Sequence, residues 1–251
     1  MVLYVAYKAS RESKGRSLLP HRLRALGCRQ LHKSFWEVEE EKVSKVLKVL
    51  EKNQSVLLKR VREIRKPRFV KNRDISELGS LVIVMYATPR EAKREQIKNF
   101  LSKASCIRLC RSVYAFSQNH SLFDKDNELV DAFKFAELIK GIQEDVKVIP
   151  RVVIVNADSC ERLLEETRER IEGEISDIVR GCKELYDRAL SVEYDVPHIR
   201  DTLSKNRRRF IAVKKAITFY EKWLRMDFSR SLMKSYRAIE KVNSVVNKNR
   251  R

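Results

Sequence analysis

The segments LHKSFWEV (31–38) and LCRSVYAF (109–116) repeat one pattern about eighty residues apart: leucine, then His or Cys, a base, a serine and, two places on, an aromatic. A chain that carries such a unit twice must form the same local structure twice and bury what each copy leaves open. The residues around the segments extend the repeat. VLYVAY (2–7) and LVIVMY (81–86) are β-branched and aromatic runs that predict strands. Each ends in tyrosine and continues alike, as YKASRE and YATPRE, with Ser10 and Pro89 expected to open amphipathic helices. The first helix would use Leu18, Leu19, Leu23 and Leu26, with Gly27 as its left-handed stop; the second would use Ile97, Phe100 and Leu101. From Tyr7 to Ser34 is 27 residues and from Tyr86 to Ser112 is 26.

The copies continue in parallel. EEEKVSKVLKVLEKN (39–53) has Val43, Val46, Leu47 and Leu50 at helical spacing, and SVLLKRVREI (55–64) reads as a strand. NELVDAFKFAELIKGI (127–142) and VKVIPRVVIV (146–155) repeat the helix and strand, with Asn127 as the expected N-cap. The quoted segment itself is expected to run as one extended strand. This gives an α+β protein of two tandem ferredoxin-like (split βαβ) units forming a pseudo-dimer, with an α-helical C-terminal extension. The boundaries are 1–64 for the first unit, 65–80 for a basic linker, 81–157 for the second unit and 158–251 for the helices. In the last part, Asp158 and Glu161 read as a capping box opening a long helix. Pro197 starts the next. Phe210, Val213, Ile217, Tyr220 and Leu224, then Phe228, Leu232, Ser235, Ile239, Val242 and Val246, form seams suited to a helical hairpin.

The net charge is +20 and it is unevenly spread. Residues 1–80 hold 20 basic against 9 acidic side chains, residues 81–196 hold 18 against 21, and residues 197–251 hold 16 against 4. Clustered positive charge releases counterions from a phosphate backbone, so DNA or RNA is the favoured partner, ahead of an anionic membrane; solubility alone is the bland reading. The apolar start is too short for a signal peptide and no stretch is long enough to span a membrane, so a cytoplasmic protein is expected. Five cysteines at irregular spacing indicate reduced thiols. The charge-rich composition fits a heat-adapted source.

The strand ending in tyrosine, the helix and then a Gln-x-x-Lys-Ser-aromatic-aromatic-Glu motif resemble the small CRISPR-adaptation and VapD-like nuclease-fold family. RQLHKSFWEVEEEKVSKVLKVL (29–50) carries the likeness best and RLCRSVYAF (108–116) carries it more loosely. The resemblance implies two copies of a unit that elsewhere pairs as a homodimer. It also implies a metal-holding aspartate after the first strand, where this chain has Lys8 and Ala87. A lysine ammonium repels Mg²⁺ and alanine offers no ligand, so the resemblance implies a nucleic-acid scaffold rather than a nuclease. In the family's integration complex this subunit bridges catalytic subunits and holds duplex DNA, a role that does not need the aspartate.

Alternation along the repeated strand would put Gln30, His32, Ser34 and Trp36 on one face, and Arg108, Cys110, Ser112 and Tyr114 on its counterpart, with Leu31, Phe35, Leu109 and Val113 under the helices. Trp36, Tyr114, His32 and Cys110 are therefore expected to pack between the units; an open platform on which Trp36 and Tyr114 stack bases is the alternative. Cys28 with His32 and Cys106 with Cys110 offer four soft ligands, but each pair would lie about 13 Å apart along a strand, so buried thiols are expected and no metal or other cofactor. No nucleophile–histidine–carboxylate set and no Gly-rich phosphate loop is visible. Phosphate contacts are assigned to Lys8, Arg11, Lys14, Arg22 and Arg24 in the first unit and to Arg207, Arg208, Arg209, Lys214 and Lys215 within KNRRRFIAVKK (205–215). Arg90, Lys93, Arg94 and Lys98 read equally well as a solvated helix face. The expected function is a non-catalytic nucleic-acid-binding scaffold with nonspecific, salt-sensitive binding. The alternatives are a divergent metal-dependent nuclease, or an adaptor whose C-terminal helices dock a protein partner.

Overall fold

The computed structural model describes residues 2–10, 16–69, 75–87, 91–119, 129–190 and 196–248. The chain divides into two compact units, Met1–Glu165 and Glu166–Arg251.

In the first unit the strands are β1 (Leu3–Lys8), β2 (Arg29–His32), β3 (Phe35–Val38), β4 (Gln54–Arg60), β5 (Arg68–Phe69), β6 (Ile75–Glu77), β7 (Leu81–Tyr86), β8 (Cys106–Cys110), β9 (Val113–Ser117) and β10 (Val146–Ile154). The helices are α1 (Leu19–Ala25), α2 (Val43–Val49), α3 (Glu91–Ser102) and α4 (Ala132–Lys140). Eight strands form one antiparallel sheet in the order β2-β3-β1-β4-β10-β7-β9-β8. The strands of 3–60 and those of 81–154 thus follow mirrored orders and join where β4 pairs with β10, Arg60 opposite Val152 and Leu58 opposite Ile154. β5 and β6 make a separate two-stranded ribbon inside the stretch read as a linker, braced by Arg68 and Glu77 at 3.5 Å.

Each repeated segment is a hairpin, not one strand. β2 turns at Lys33–Ser34 into β3, and β8 turns at Arg111–Ser112 into β9. The two turns are tied down identically, with the Tyr7 N–H donating to the Ser34 carbonyl at 3.0 Å and the Tyr86 N–H to the Ser112 carbonyl at 3.1 Å. The turn and the register shift beside it reset the alternation, and this overturns the expected faces. Trp36 pairs with Val5 and packs under α1 and α2 with Leu19, Leu23, Val46 and Leu50. Tyr114 packs under α3 and α4 with Ile97, Phe135, Ala136 and Ile139, stacked on Tyr86 with ring centroids 6.0 Å apart. Phe35 lies on the opposite face against Tyr4, not under the helices.

That opposite face is covered by the other half of the sheet. The edge strand β8 comes close to β1, which is five places away in the strand order. Cys110 Sγ lies 3.7 Å from the Ser34 carbonyl, and His32 Nε2 lies 3.1 Å from the Tyr86 carbonyl. Of the four residues assigned to packing between halves, His32 and Cys110 make contacts across them, while Trp36 and Tyr114 pack under the helices of their own halves.

A carbonyl only accepts, so His32 Nε2 carries the proton and Nδ1 is left buried without a partner. Charging the ring would add a buried N–H with nothing to receive it. Burial first, then the Lys33 and Lys147 charges, lower the His32 pKa, against the Tyr86 carbonyl and Asp145, which raise it. The unfolded chain then takes up the proton first, so stability present above the ordinary histidine value of about 6.5 is lost as pH falls below it. Urea midpoints measured from pH 8 to 5 are expected to decline over that interval, and His32→Asn is expected to flatten the decline.

The local stops and starts follow the residue chemistry. Gly27 takes φ +75 and ends α1, with the Cys28 N–H reaching back to the Leu23 carbonyl at 3.1 Å. The first helical turn described after Ser10 begins only at Arg16, and residues 11–15 lie outside the described residues. Asn127 likewise lies outside them; α4 is capped by Asp131, whose carboxylate accepts from the Lys134 N–H at 2.8 Å. The long helix α5 (Ala157–Ala189) starts before the expected capping box: Asn156 precedes it, and its side-chain amide donates to Ser159 Oγ. All five cysteines are buried and reduced, and burial pushes the Cys110 thiol up to about 12.

The second unit holds the rest of α5 with α6 (Val196–Leu224) and α7 (Ser229–Lys248). Val213, Ile217, Tyr220 and Leu224 from α6, and Ser235, Ile239, Val242 and Val246 from α7, are buried, as the seam pattern requires. Phe219, Tyr220 and Trp223 form an aromatic cluster, and Arg170 donates to the Tyr220 hydroxyl at 2.7 Å. Among the described residues no helix is long and apolar enough to cross a membrane.

Candidate nucleic-acid interface

Residues 202–220 contain six cations and no carboxylate. Folded as α6, this stretch turns its seam inward and leaves Arg200, Lys205, Arg207, Arg208, Arg209 and Lys214 exposed, with Lys215 half-buried. At about 1.5 Å per residue, Arg200 to Lys215 spans about 22 Å along the helix. The nearest acid in sequence, Asp201, is held by Lys205 at 2.7 Å, and that partner, with Arg208 and His198 nearby, lowers its pKa. Arg200 and Arg207 also line a hollow of about 260 Å³ with Asn243 and Asn247 of α7. Arg209 is exposed as its neighbours are, and its charge also acts on Glu174 of α5, whose carboxyl is raised by burial and lowered by Arg170 and then Arg209. Arg209 therefore extends the outer stripe while its charge also helps compensate a half-buried carboxylate.

The cations assigned in the first unit do not form one surface of this kind. Arg22 and Arg24 are exposed on α1, but Arg24 donates to Gln30 Oε1 and lies over the Trp36 ring, 5.8 Å from its centroid. Arg11 and Lys14 lie outside the described residues. Lys8, at the end of β1, lines a hollow of about 490 Å³ with Ser10, Glu51, Lys52, Asn53, Gln54 and Arg162. Ala87, the counterpart position after β7, is exposed and donates its backbone N–H to the Asp145 carbonyl at 3.3 Å. On α3, Arg94 pairs with Glu91 at 3.3 Å and Lys98 with Glu95 at 3.1 Å, while Lys93 Nζ donates to the Ile142 carbonyl. Arg94 and Lys98 are thus matched by acids of their own helix, and Pro89 and Arg90 lie outside the described residues. Among the described residues no three His, Cys, Asp or Glu side chains are grouped to hold a metal ion.

A second basic surface was not singled out from the sequence. Lys59, Arg60, Arg62, Arg65 and Arg151 line a groove of about 690 Å³, with Val2, Val61 and one acid, Glu63. The groove is built where the pairing of β10 shifts between Ile149 and Val152. The extra residue there is Arg151, which adopts φ +58 although it is not glycine. Its backbone is locked in place: the Arg151 N–H donates to Gln118 Oε1 at 2.8 Å, and its carbonyl accepts from the Val61 N–H at 2.8 Å. Its guanidinium donates to the Arg62 carbonyl at 3.2 Å. Arg65 is fixed through its backbone by Ser80, whose hydroxyl accepts from the Arg65 N–H and whose own N–H donates to the Arg65 carbonyl, both at 2.8 Å. Gly79 lets these chains approach, since a Cβ there would come within 2.8 Å of the Arg65 carbonyl oxygen. The sequence signal was present in KRVREIRKPR (59–68), but half of that run reads as a strand and half as a linker. Pro150 before Arg151 marked the bulge, since proline inside a central strand breaks the ladder.

No protein-family profile, no curated protein and no solved structure matches the chain.

Proposed function

We propose that the protein is a non-catalytic nucleic-acid-binding scaffold that holds phosphate backbones through α6. The observation that carries this reading is the run 202–220, six cations without a carboxylate, placed on a helix whose apolar side is already buried. On such a surface phosphates are met by charge, and contacts to phosphates carry no sequence information directly. In the first unit, the mirrored strand orders and the matched Tyr–Ser hydrogen bonds support reading the chain as two split βαβ units in tandem, the arrangement that the resemblance to the CRISPR-adaptation and VapD-like family implies. The same resemblance places Lys8 and Ala87 where the family keeps an aspartate, which supports binding without cleavage.

The test is fluorescence anisotropy with labelled duplex DNA, duplex RNA and single strands, titrated with salt. Three to four phosphate contacts predict that log K falls with log salt at a slope of about −3 to −4. Affinity indifferent to salt would remove the reading, and Mg²⁺-dependent cleavage of the same probes would replace it with the nuclease alternative.

A further inference from the structure

We propose that the groove at the β10 bulge is a site for a short chain of linked phosphates, an oligophosphate, held by Arg60, Arg62, Arg65, Arg151 and Lys59. Charge density is the first argument. Five cations face one carboxylate in about 690 Å³, a space about 11 Å across if spherical, which is small-molecule size and narrower than a duplex. A nucleic-acid strand carries one charge per about 3.4 Å of axis and would bring about three charges into that space. Linked phosphates carry more charge over the same length, since a terminal phosphate alone holds nearly two negative charges at neutral pH. Arginine is suited to this ligand because its planar fork pairs with two phosphate oxygens at once.

The lining argues the same way. It contains no aromatic ring on which a base could stack, and its apolar members are Val2 and Val61. The polar anchors are used internally: Gln118 on the Arg151 N–H and Ser80 on the Arg65 backbone. What remains to meet a ligand is cationic, apart from Glu63. The third argument is strain. A non-glycine residue at φ +58 costs stability unless the surroundings over-determine it, and here the Val61 N–H donating to the Arg151 carbonyl and the Gln118 side-chain oxygen accepting from the Arg151 N–H do so. The result of that arrangement is an exposed guanidinium at the groove. The inference concerns the first unit alone and does not rest on the reading of α6.

Isothermal titration calorimetry on the full chain, without divalent cations, tests it with inorganic phosphate, pyrophosphate and tripolyphosphate. Affinity is expected to rise about tenfold with each added phosphate, as each brings a charged hydrogen-bonding group to a cation. Arg151→Gly is expected to weaken tripolyphosphate about tenfold without lowering the thermal midpoint, because glycine suits the left-handed backbone. Arg62→Ala with Arg65→Ala is expected to weaken it at least as much, and Arg207→Ala with Arg208→Ala is expected to leave it unchanged. An oligonucleotide with a 5′-triphosphate, compared with its 5′-hydroxyl form, identifies the source. Tighter binding of the triphosphate form supports a strand end as the ligand, and equal binding supports the free oligophosphate. Tripolyphosphate bound no more tightly than inorganic phosphate would overturn the proposal, as would full affinity in both groove variants or an equal loss in the α6 variant.

Discussion

Replacing Arg207, Arg208 and Lys214 together by alanine lowers affinity for duplex DNA about a hundredfold in low salt and makes the salt dependence shallower by about 2.7. Each of these side chains is exposed on α6, where it can displace a condensed counterion from a phosphate. Three lost contacts, each contributing about 0.9 to the slope, account for the change. Arg209→Ala is the discriminating control. It belongs to the same exposed Arg-Arg-Arg run, but part of its charge acts on the Glu174 carboxylate, so its removal leaves that group less compensated and is expected to cost less phosphate affinity than removal of its neighbours. The expected outcome is a lower thermal midpoint for the second unit with affinity within about twofold of the parent. If Arg209→Ala weakened binding as much as the triple variant, the geometry of α6 would not be what orders these cations. If the triple variant bound as the parent does, α6 would not be the interface. Circular dichroism of all variants checks that the helices persist.

The contrast between Arg209 and its neighbours shows what a sequence can and cannot display. The run of cations is evident in the letters, and its seam of Val213, Ile217, Tyr220 and Leu224 gives away which side is buried. The carboxylate on which the charge at position 209 acts is not, because Glu174 belongs to a helix more than thirty residues earlier. The likeness of the two segments in the first part was equally visible in the letters, and Tyr7 with Ser34 and Tyr86 with Ser112 make the same hydrogen bond. The segments' faces were not, for a parity reason: a two-residue turn inside LHKSFWEV and LCRSVYAF, with a register shift beside it, inverts which residues look inward. Neither turn contains Asn-Gly, Asp-Gly or another strong signal, so nothing local announced it. The groove was hidden in a third way. Arg151 joins Lys59, Arg60 and Arg62 only because β10 pairs with β4, an alignment of residues about ninety positions apart that no local periodicity reports.

Trp36→Ala tests the corrected faces directly. Trp36 is fully buried beneath α1 and α2, among Leu19, Leu23, Val46 and Leu50, with Arg24 over its ring. Deleting an aromatic side chain from such a site removes its transfer free energy and leaves a cavity that short helices relax around only in part, a cost of about 3–5 kcal/mol. Trp36→Phe keeps most of the volume and costs less. The chain has two tryptophans, and the other, Trp223, belongs to the second unit, so in both variants its fluorescence reports that unit while backbone dichroism reports the whole. Urea unfolding of Trp36→Ala is expected to show an early loss of dichroism ahead of the Trp223 transition, and Trp36→Phe a smaller shift in the same direction. Were Trp36 instead an open stacking platform, its removal would cost little stability, within about 0.5 kcal/mol, and would weaken single-strand binding. An unchanged dichroism midpoint with lost single-strand affinity would therefore return Trp36 to the surface and undo the packing described for the first unit.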